Sequence, residues 1–312
     1  MHSNSSGKPP TARDGTPSSL ARARASNTAW WSSRSQAPHR GSRAATRRCR
    51  PRSRATASSD TKPEAELVVA FRECRVAERV EWAPGLVTLT LDATLDPHEP
   101  GQFVNLALDL DGERVKRAYS LANAPGTPAQ LYLVSVAGGR LSPRLAALAP
   151  GDPLLADPRP HGFFLPSDVP APREVWLLAT GTGLGPYLAM LRAGRLIEQH
   201  HAVVLVHSVR EAAHLGHRAE LEGLASTSAR FRYVPIVTRA PAAGVLRGRM
   251  QTLLASGGLE SRAGLTLAPE RSHVMLCGNP AMLADVGEAL AARGLVKHRR
   301  RSPGHVTTEA YW

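Results

Sequence analysis

The sequence predicts two folds in series, an antiparallel β-barrel followed by a doubly wound parallel sheet, so the class is β plus α/β. Short strand patterns separated by turns run from about residue 67 to 157 and include one brief helix, which is typical of a small barrel. After Pro172, continuous apolar strands alternate with helix patterns, which indicates a parallel sheet covered on both faces. We expect domains at 67–166 and 172–312, joined by a Pro-rich linker.

The elements of the barrel follow from apolar runs bounded by turn residues. Strands are predicted at 67–71, 86–91, 103–108, 114–120 and 131–136. Asp111-Gly112 is a hairpin signal between the third and fourth of these strands. Ser142 followed by Pro143 predicts a short helix at 142–148, with the serine as its N-cap.

The second half repeats a strand and helix unit. Strands are predicted at 175–179, 202–207, 231–237 and 273–277, and helices at 186–200, 214–225, 249–255 and 281–292. The ligand of such a sheet is expected at the carboxyl ends of its strands.

Most of the net charge of +13 lies in the first 60 residues, which contain eleven Arg and one Lys against two Asp, a net of +10. Residues 61–312 therefore carry only +3, which argues against nucleic-acid binding as the main function. The composition of 1–66 predicts a disordered basic extension. Three interpretations remain: an organelle transit peptide, a dispensable extension, or upstream sequence added by a wrong start codon.

The totals exclude two further classes. No run of about 18 apolar residues predicts a membrane span. The cysteines, Cys49, Cys74 and Cys277, are too few for a disulfide framework or an iron–sulfur site with four thiolates. A reducing compartment is expected, and any iron–sulfur cluster must belong to a separate protein. No metal site is expected.

Arg117-Ala118-Tyr119-Ser120, at the end of a predicted strand, has the chemistry of a cofactor site. Arginine can hold a pyrophosphate, tyrosine can stack on a flat ring, and serine can hydrogen-bond the edge of that ring. The segment therefore suits a long, flat, doubly phosphorylated cofactor such as FAD. Gly138 to Ser142 can hold a second phosphate or form an ordinary hairpin loop.

A glycine-rich turn, residues 181–186, follows a predicted strand and opens a helix. This context favours a nucleotide pyrophosphate over a plain tight turn. Arg210, Arg239 and Arg249 follow later strands and favour the 2′-phosphate of NADP, although each can be an ordinary surface residue. Glu211 is an alternative partner for a ribose hydroxyl.

Two segments near the C-terminus each allow two interpretations of their role. Cys277, followed by Gly278, either leaves room for a ring or is a buried structural thiol, while Asn279 begins the next helix. The basic run 297–301 is either a solvated loop or sheet edge, or a docking patch for an acidic partner. The histidines are expected to be structural.

Taken in order, these motifs resemble the ferredoxin/flavodoxin–NADP reductase family, in its bacterial form with a C-terminal Tyr-Trp. The resemblance covers roughly residues 70–312 and includes Arg117 to Ser120, Gly139 to Leu145, residues 161–164 and 179–187, 273–280 and 303–312. It implies a flavin-binding barrel and an NADP-binding α/β domain.

The resemblance also implies site residues. Those implied for FAD are Arg117, Ala118, Tyr119, Ser120, Tyr132, Arg140, Leu141, Ser142, Thr182, Tyr311 and Trp312. Those implied for NADP are Val209, Arg210, Thr238, Arg239, Arg249, Asn279, Pro280, Ala281 and Asp285, the last also open to being a solvated helix residue. Ser120, Cys277, Glu309 and Tyr311 would surround the reacting atoms, and Tyr119 and Tyr311 would sandwich the flavin ring.

The implied activity is hydride exchange between NADP(H) and FAD, coupled to one-electron transfer with ferredoxin or flavodoxin. The alternative is a flavin or oxygenase reductase of the same fold. A cytoplasmic monomer is expected, with organelle targeting as the alternative for the extension.

Overall fold

The computed structural model describes residues 71–93, 95–170, 173–299 and 301–311. These residues belong to one unit, Ala65–Trp312. The predicted domain boundaries stay a prediction, and the predicted extension, 1–66, lies outside the described residues.

The first half is a six-stranded antiparallel barrel with the strand order β4-β3-β6-β1-β2-β5. Its strands are β1 (Arg72–Ala83), β2 (Leu86–Leu91), β3 (Phe103–Leu110), β4 (Glu113–Ser120), β5 (Gln130–Val134) and β6 (Pro153–Ala156). The barrel closes where Leu121, directly after β4, bridges Leu131 of β5. Asp111 and Gly112 both have positive φ, at 53° and 79°, so they form the predicted hairpin turn between β3 and β4.

One barrel prediction is wrong, one lies almost wholly outside the described residues, and one strand was not predicted. The strand predicted at 67–71 lies outside the described residues except for Phe71, which only precedes β1. β1 itself was not predicted because its outward positions are mostly charged. The predicted Ser142 cap is wrong: the helix α1 (Ser142–Ala146) has Leu141 at its N-cap, and Ser142 Oγ accepts a hydrogen bond from Val136 N instead.

The second half is a six-stranded parallel sheet with the order β10-β9-β8-β7-β11-β12. Its strands are β7 (Glu174–Thr180), β8 (Ala202–Val209), β9 (Phe231–Val237), β10 (Leu246–Arg247), β11 (Ser272–Gly278) and β12 (Val306–Ala310). Since β7 comes first in the chain but lies between β8 and β11, the strand order reverses at β7 and β11. Ligands of doubly wound sheets bind at such a crevice.

Helices cover both faces of this sheet. They are α2 (Gly185–Arg192), α3 (Arg195–Gln199), α4 (Arg218–Thr227), α5 (Met250–Ala255), α6 (Gly258–Ala263) and α7 (Pro280–Ala291). The single helix predicted at 186–200 is two helices, because the chain turns at Gly194 with φ 78°. The predicted fold class, a barrel followed by a doubly wound sheet, is confirmed.

Three apolar clusters organise the packing. One fills the barrel around Leu89, Leu106 and Leu131. A second lies on one face of the parallel sheet under α5, α6 and α7. The third joins the other face to the barrel, because it includes Leu86 and Tyr132 together with Tyr187 and Leu188. No helix among the described residues is both long and apolar enough to span a membrane.

Candidate active site

A cavity of about 340 Å³ lies where the end of β4 and β5 meet the carboxyl end of β12. All ten described residues that the resemblance implies for FAD line it, as does Glu309; Trp312 lies outside the described residues. Gly139, from the segment proposed for a second phosphate, lines the cavity too, and the lining residues that the sequence did not indicate are Phe103, Leu133, Val134, Val136 and Ala310. Barrel closure and strand register, which bring these positions together, have no local sequence signal.

On the barrel side, the side chains at the end of β4 become progressively more buried toward the end of the strand. Arg117 and Ala118 are exposed, Tyr119 is half-buried, and Ser120 is only 8% exposed. Burial raises the pKa of Tyr119 to about 12, although Arg117 partly opposes this, so the ring is a neutral apolar surface with a hydroxyl. Ser120 pairs with Phe103 of β3, which explains why Phe103 reaches the same cavity.

The loop between β5 and α1 forms a second wall. Gly139 N donates to Val136 O at 2.9 Å, and Ser142 Oγ accepts from Val136 N at 3.1 Å. A Cβ at Gly139 would lie 3.0 Å from both Ser142 Oγ and Val136 O, so the turn favours glycine. The loop is thus a tight turn that also lines the cavity. Arg140 is exposed there and pairs with Glu113 at 2.8 Å.

The carboxyl end of the parallel sheet supplies the third wall. Cys277 of β11 pairs with Glu309 of β12, and Tyr311 N donates to Gly278 O at 2.9 Å. The Cys277 thiol donates to Glu309 Oε2 at a long 3.9 Å. The Tyr311 hydroxyl hydrogen-bonds both Ser120 and Cys277. Ser120, Glu309 and Tyr311 therefore line one end of the cavity, whereas Cys277 does not line it and is fully buried against Glu309 and Tyr311.

Burial dominates the protonation of this group. Desolvation raises the pKa of Glu309 to about 7, against a small opposing effect of its hydrogen bond from Cys277. The pKa values of the Cys277 thiol and the Tyr311 hydroxyl are also raised well above their ordinary values, chiefly by burial. Cys277 and Tyr311 are therefore neutral at physiological pH, and Glu309 is the residue that can change its protonation there.

Glu309→Gln should stabilise the protein at alkaline pH and not at acid pH. The unfolded carboxyl ionises near 4.5, whereas the folded one ionises near 7, so wild-type stability falls as pH rises through this window. Glutamine has no such penalty. Denaturant unfolding at pH 4.5 and pH 8 should show an advantage of the variant that grows to at most about 3 kcal/mol. An equal difference at both pH values would contradict the assigned burial.

The glycine-rich turn packs directly against this group. Residues Gly181–Leu184 form a 3₁₀ turn that leads into α2. A Cβ at Gly183 would lie 2.5 Å from Cys277 O, so only glycine fits between the turn and β11. The buried His207 Nε2 donates to Gly181 O at 3.1 Å, and burial lowers the pKa of His207 to about 4, so the ring is neutral and structural, as predicted.

The residues implied for NADP lie along the carboxyl edge of the same sheet. Val209 ends β8 and Arg210 follows it, while Thr238 and Arg239 follow β9. The two ends are joined, because Thr238 N donates to Val209 O and Arg239 N donates to Arg210 O, both at 3.0 Å. The Arg210 side chain is exposed and forms no ion pair with any described residue.

Glu211, the alternative partner for a ribose, already has a partner. Arg239 Nη1 lies 3.1 Å from Glu211 Oε1, and both side chains are exposed. Such a surface pair is weak, since exposed ion pairs contribute about 0–1 kcal/mol, so a phosphate can compete for Arg239. Arg249 is exposed at the N-cap of α5.

Asn279 begins α7 as predicted. Its Oδ1 accepts from Met282 N at 2.9 Å, and its own N donates to Thr180 Oγ1 at 3.2 Å. Pro280 and Ala281 are exposed at the start of this helix. Asp285, one turn further on, is exposed and accepts from Gln251 Nε2 at 2.9 Å. These residues share a sheet edge rather than one enclosed cavity.

Among the described residues, no cluster of three or more His, Cys, Asp or Glu side chains is arranged to hold a metal ion.

Comparisons with known proteins agree with this geometry. Residues 177–288 match the family described as Oxidoreductase NAD-binding domain. The flavodoxin/ferredoxin–NADP reductase of Escherichia coli strain K12 is 45% identical over 241 residues, which cover 76% of this chain and 97% of that protein. The ferredoxin–NADP reductase of Azotobacter vinelandii is 33% identical over 223 residues, which cover 68% of this chain and 85% of that protein.

A solved structure gives the same result. The crystal structure of a ferredoxin NADP+ reductase from Neisseria gonorrhoeae with bound FAD and NADP has a TM-score of 0.74 at 30% identity, covering 78% of this chain and 99% of that one. Both the sequence relatives and this structure span barrel and parallel sheet together. This chain therefore belongs to the ferredoxin/flavodoxin–NADP reductase family.

Proposed function

We propose that this protein transfers electrons between NADP(H) and ferredoxin or flavodoxin, with FAD bound in the cavity. The observation that carries the proposal is that Ser120, Glu309 and Tyr311, with Cys277 buried against the last two, meet at one end of a cavity lined by every described residue implied for FAD. Family membership supports the same assignment.

The lining residues fit FAD chemically. A second concavity of about 480 Å³, lined in part by Asp109 and Arg144, shares Gly139 and Arg140 with the cavity, so the two can hold a long cofactor. Exposed arginines at 117 and 140 suit a pyrophosphate. The apolar side chains on β5 and the Tyr119 ring suit a flat ring system.

When bound, FAD and NADP(H) would supply hydride exchange and the division of an electron pair into single electrons. The residues of the chain position and insulate that chemistry. Ser120 presents a hydroxyl at the inner end of the cavity. Cys277 is fully buried and neutral behind Glu309, and Glu309 can take up or release a proton at its carboxyl oxygen near neutral pH.

Tyr311 is the gate of the proposed site. Its ring packs on the apolar cluster beside Tyr187, and its hydroxyl is held by Ser120 and Cys277. The hydroxyl also lies 3.6 Å from the position that a Cβ on Gly185 would occupy. A nicotinamide that approaches Cys277 from the sheet edge must therefore displace this side chain.

Arg210→Ala should reduce the preference for NADPH over NADH. Its exposed guanidinium is proposed to hold the 2′-phosphate, and a charge-assisted hydrogen bond of about 1.5–3 kcal/mol corresponds to at least a tenfold rise in the KM for NADPH. The KM for NADH should not change. Arg271→Ala is the control, since Arg271 is exposed but precedes β11 at the opposite edge of the sheet. Equal losses with both nucleotides would refute this role of Arg210.

The carrier partner is proposed to be acidic ferredoxin or flavodoxin. The described residues of the basic run 297–301 do not line the cavity: Lys297 bridges Val306, at the amino end of β12, whereas Glu309 lies at its carboxyl end. This position favours the sheet-edge interpretation. Arg300 lies outside the described residues.

Turnover with NADPH on ferredoxin, flavodoxin and free flavin tests the choice of acceptor. The proposal predicts faster turnover per active site with a carrier protein than with free flavin at equal concentration. A higher rate with free flavin would instead assign a flavin reductase. A monomer and a cytoplasmic location stay predictions, which size-exclusion chromatography and cell fractionation can check.

A further inference from the structure

A polar network beside Tyr132 joins the barrel to the parallel-sheet half. We call Arg192, His217 and Glu220 the Arg192 network. Arg192 ends α2, His217 is the N-cap of α4, and Glu220 lies in the first turn of α4. None of these residues lines the cavity.

Arg192 reaches both halves of the molecule. Its Nε and Nη2 donate to the two oxygens of Glu220 at 2.7 and 2.8 Å, a bidentate pair. Its Nη1 donates to Ala122 O at 2.7 Å and to Gln130 Oε1 at 2.9 Å, both in the barrel half. The Glu220 carboxylate thus holds the Arg192 guanidinium in the orientation in which it bonds the barrel.

His217 makes the second connection. The Thr88 hydroxyl accepts a hydrogen bond from Trp82 Nε1 at 2.9 Å and is also hydrogen-bonded to His217 Nε2 at 2.9 Å. His217 Nδ1 then donates to Glu220 Oε2 at 3.0 Å. The residue His217 is only 4% exposed, and its ring lies against the barrel. Its backbone has a positive φ of 60°.

Glu220 is the centre on which both connections depend. Burial by itself would raise the pKa of Glu220, but hydrogen bonds from His217 and Arg192 outweigh it and lower the pKa to about 2. The carboxylate is therefore ionised at any pH at which the protein would be assayed. Removing its charge loosens Arg192 and His217 together.

The network adjoins the wall of the active site. The His217 ring packs edge-on against Tyr132, with centroids 5.2 Å apart, and Tyr132 lines the cavity. Around it, contact between the halves is made by apolar side chains such as Leu86, Leu184 and Leu188. Apolar packing is non-directional, whereas hydrogen bonds fix orientation.

We propose that the Arg192 network sets the orientation of the barrel relative to the parallel sheet and thereby positions the two halves of the active site. The inference rests on the proposed function. The cavity is lined by Tyr119 and Ser120 from the barrel and by Glu309 and Tyr311 from the sheet. A small rotation of the barrel relative to the sheet would therefore change the distance between the flavin and nicotinamide rings. Misplacement by about 1 Å can slow a reaction about 100-fold. The three members are positioning residues.

Glu220→Gln tests the proposal, with Glu222→Gln as the matched control. Glu222 lies on the same helix and pairs with Arg218, also of α4, so its loss removes a charge without touching the barrel. Purified holoproteins are mixed with NADPH in a stopped-flow instrument, and the limiting rate of flavin reduction per bound flavin is measured. We expect Glu220→Gln to lower this rate about tenfold with the half-saturating NADPH concentration changed less than twofold. Glu222→Gln should match the wild type.

A second readout is independent of activity. In the purified full-length proteins as isolated, hydrogen exchange should be faster in Glu220→Gln than in the wild type on both sides of the junction, in peptides covering Thr88, Ala122 and the start of α4. Glu222→Gln should not change exchange in the barrel peptides. A purely structural role would lower the melting temperature or flavin content but leave the rate per bound flavin unchanged.

The outcomes are separable. A wild-type limiting rate and unchanged barrel exchange in Glu220→Gln would overturn the proposal. If Glu220→Gln does not retain flavin, Arg192→Lys replaces it, because lysine keeps the charge but lacks the forked N–H donors of the guanidinium. Arg192→Lys must then show the same loss of rate, and a normal rate in this variant would also overturn the proposal. A wild-type protein that NADPH does not reduce would refute the proposed function instead, while the exchange result would still decide the role of the network.

Discussion

Tyr311→Ser is expected to bind NADP+ at least tenfold more tightly than the wild type. The ring is packed on an apolar cluster and its hydroxyl is bonded to Ser120 and Cys277, so an incoming nicotinamide must first remove these contacts. Burying an aromatic side chain contributes about 1.5–3 kcal/mol, and about 1.4 kcal/mol is a factor of ten in affinity. A serine at position 311 would leave the space of the tyrosine ring free for the nicotinamide. Turnover should fall, since a nucleotide held more tightly leaves more slowly.

Tyr311→Phe separates the ring from its hydroxyl. It keeps the packing but removes the bonds to Ser120 and Cys277, and a hydrogen bond contributes about 1 kcal/mol, so affinity should rise about fivefold. Difference-absorbance titration with NADP+ measures both variants. The predicted order is wild type, then Phe, then Ser. Unchanged nicotinamide binding in Tyr311→Ser would count against the gate.

Gly183→Ala should cause the largest loss of stability of any single methyl addition to the glycine-rich turn. Its Cβ would lie 2.5 Å from Cys277 O and 2.8 Å from the Cys277 carbonyl carbon, and both are backbone atoms that cannot rotate away. We expect the free energy of unfolding to fall by about 3 kcal/mol. Because Cys277 pairs with Glu309, the displacement should also impair turnover.

Gly181→Ala is the matched control for this turn. Gly181 has φ 53°, but an added methyl group would meet no atom within 4 Å, so only the backbone conformation is unfavourable, at about 1 kcal/mol. Thermal denaturation of both variants should show a clearly smaller drop in Tm for Gly181→Ala. Equal drops would mean that the contact with Cys277 does not decide the conformation of the turn.

Periodicity made most of the fold predictable. Apolar runs such as Phe231–Val237 are largely buried, and their alternation with helices leaves few topologies. The misses have physical causes. β1 was missed because charged side chains stand between its buried residues, and the helix predicted at 186–200 breaks because Gly194 adopts a positive φ. Ser142 does not cap its helix because its hydroxyl bonds Val136 N in the loop just before the helix, a local hydrogen bond that competes with capping.

The site was predictable where its residues are adjacent in sequence, and it was not predictable where strand pairing brings distant residues together. Arg117, Tyr119 and Ser120 stand in one tetrapeptide with a recognisable function. Phe103 and Ala310 reach the same cavity only because β3 pairs with β4 and β12 pairs with β11. The Arg192 network could not be foreseen, since Arg192 is distant in sequence from His217 and Glu220, and the bonds to Thr88, Ala122 and Gln130 form only when the two halves pack.

An anaerobic absorbance titration of the purified protein shows whether a bound flavin passes electrons from NADPH to a carrier protein. The protein as isolated should show the visible bands of bound oxidised flavin. NADPH should bleach them at a much lower concentration than NADH, and added oxidised ferredoxin or flavodoxin should restore them. A colourless protein, or bands that neither nucleotide bleaches, would contradict the account.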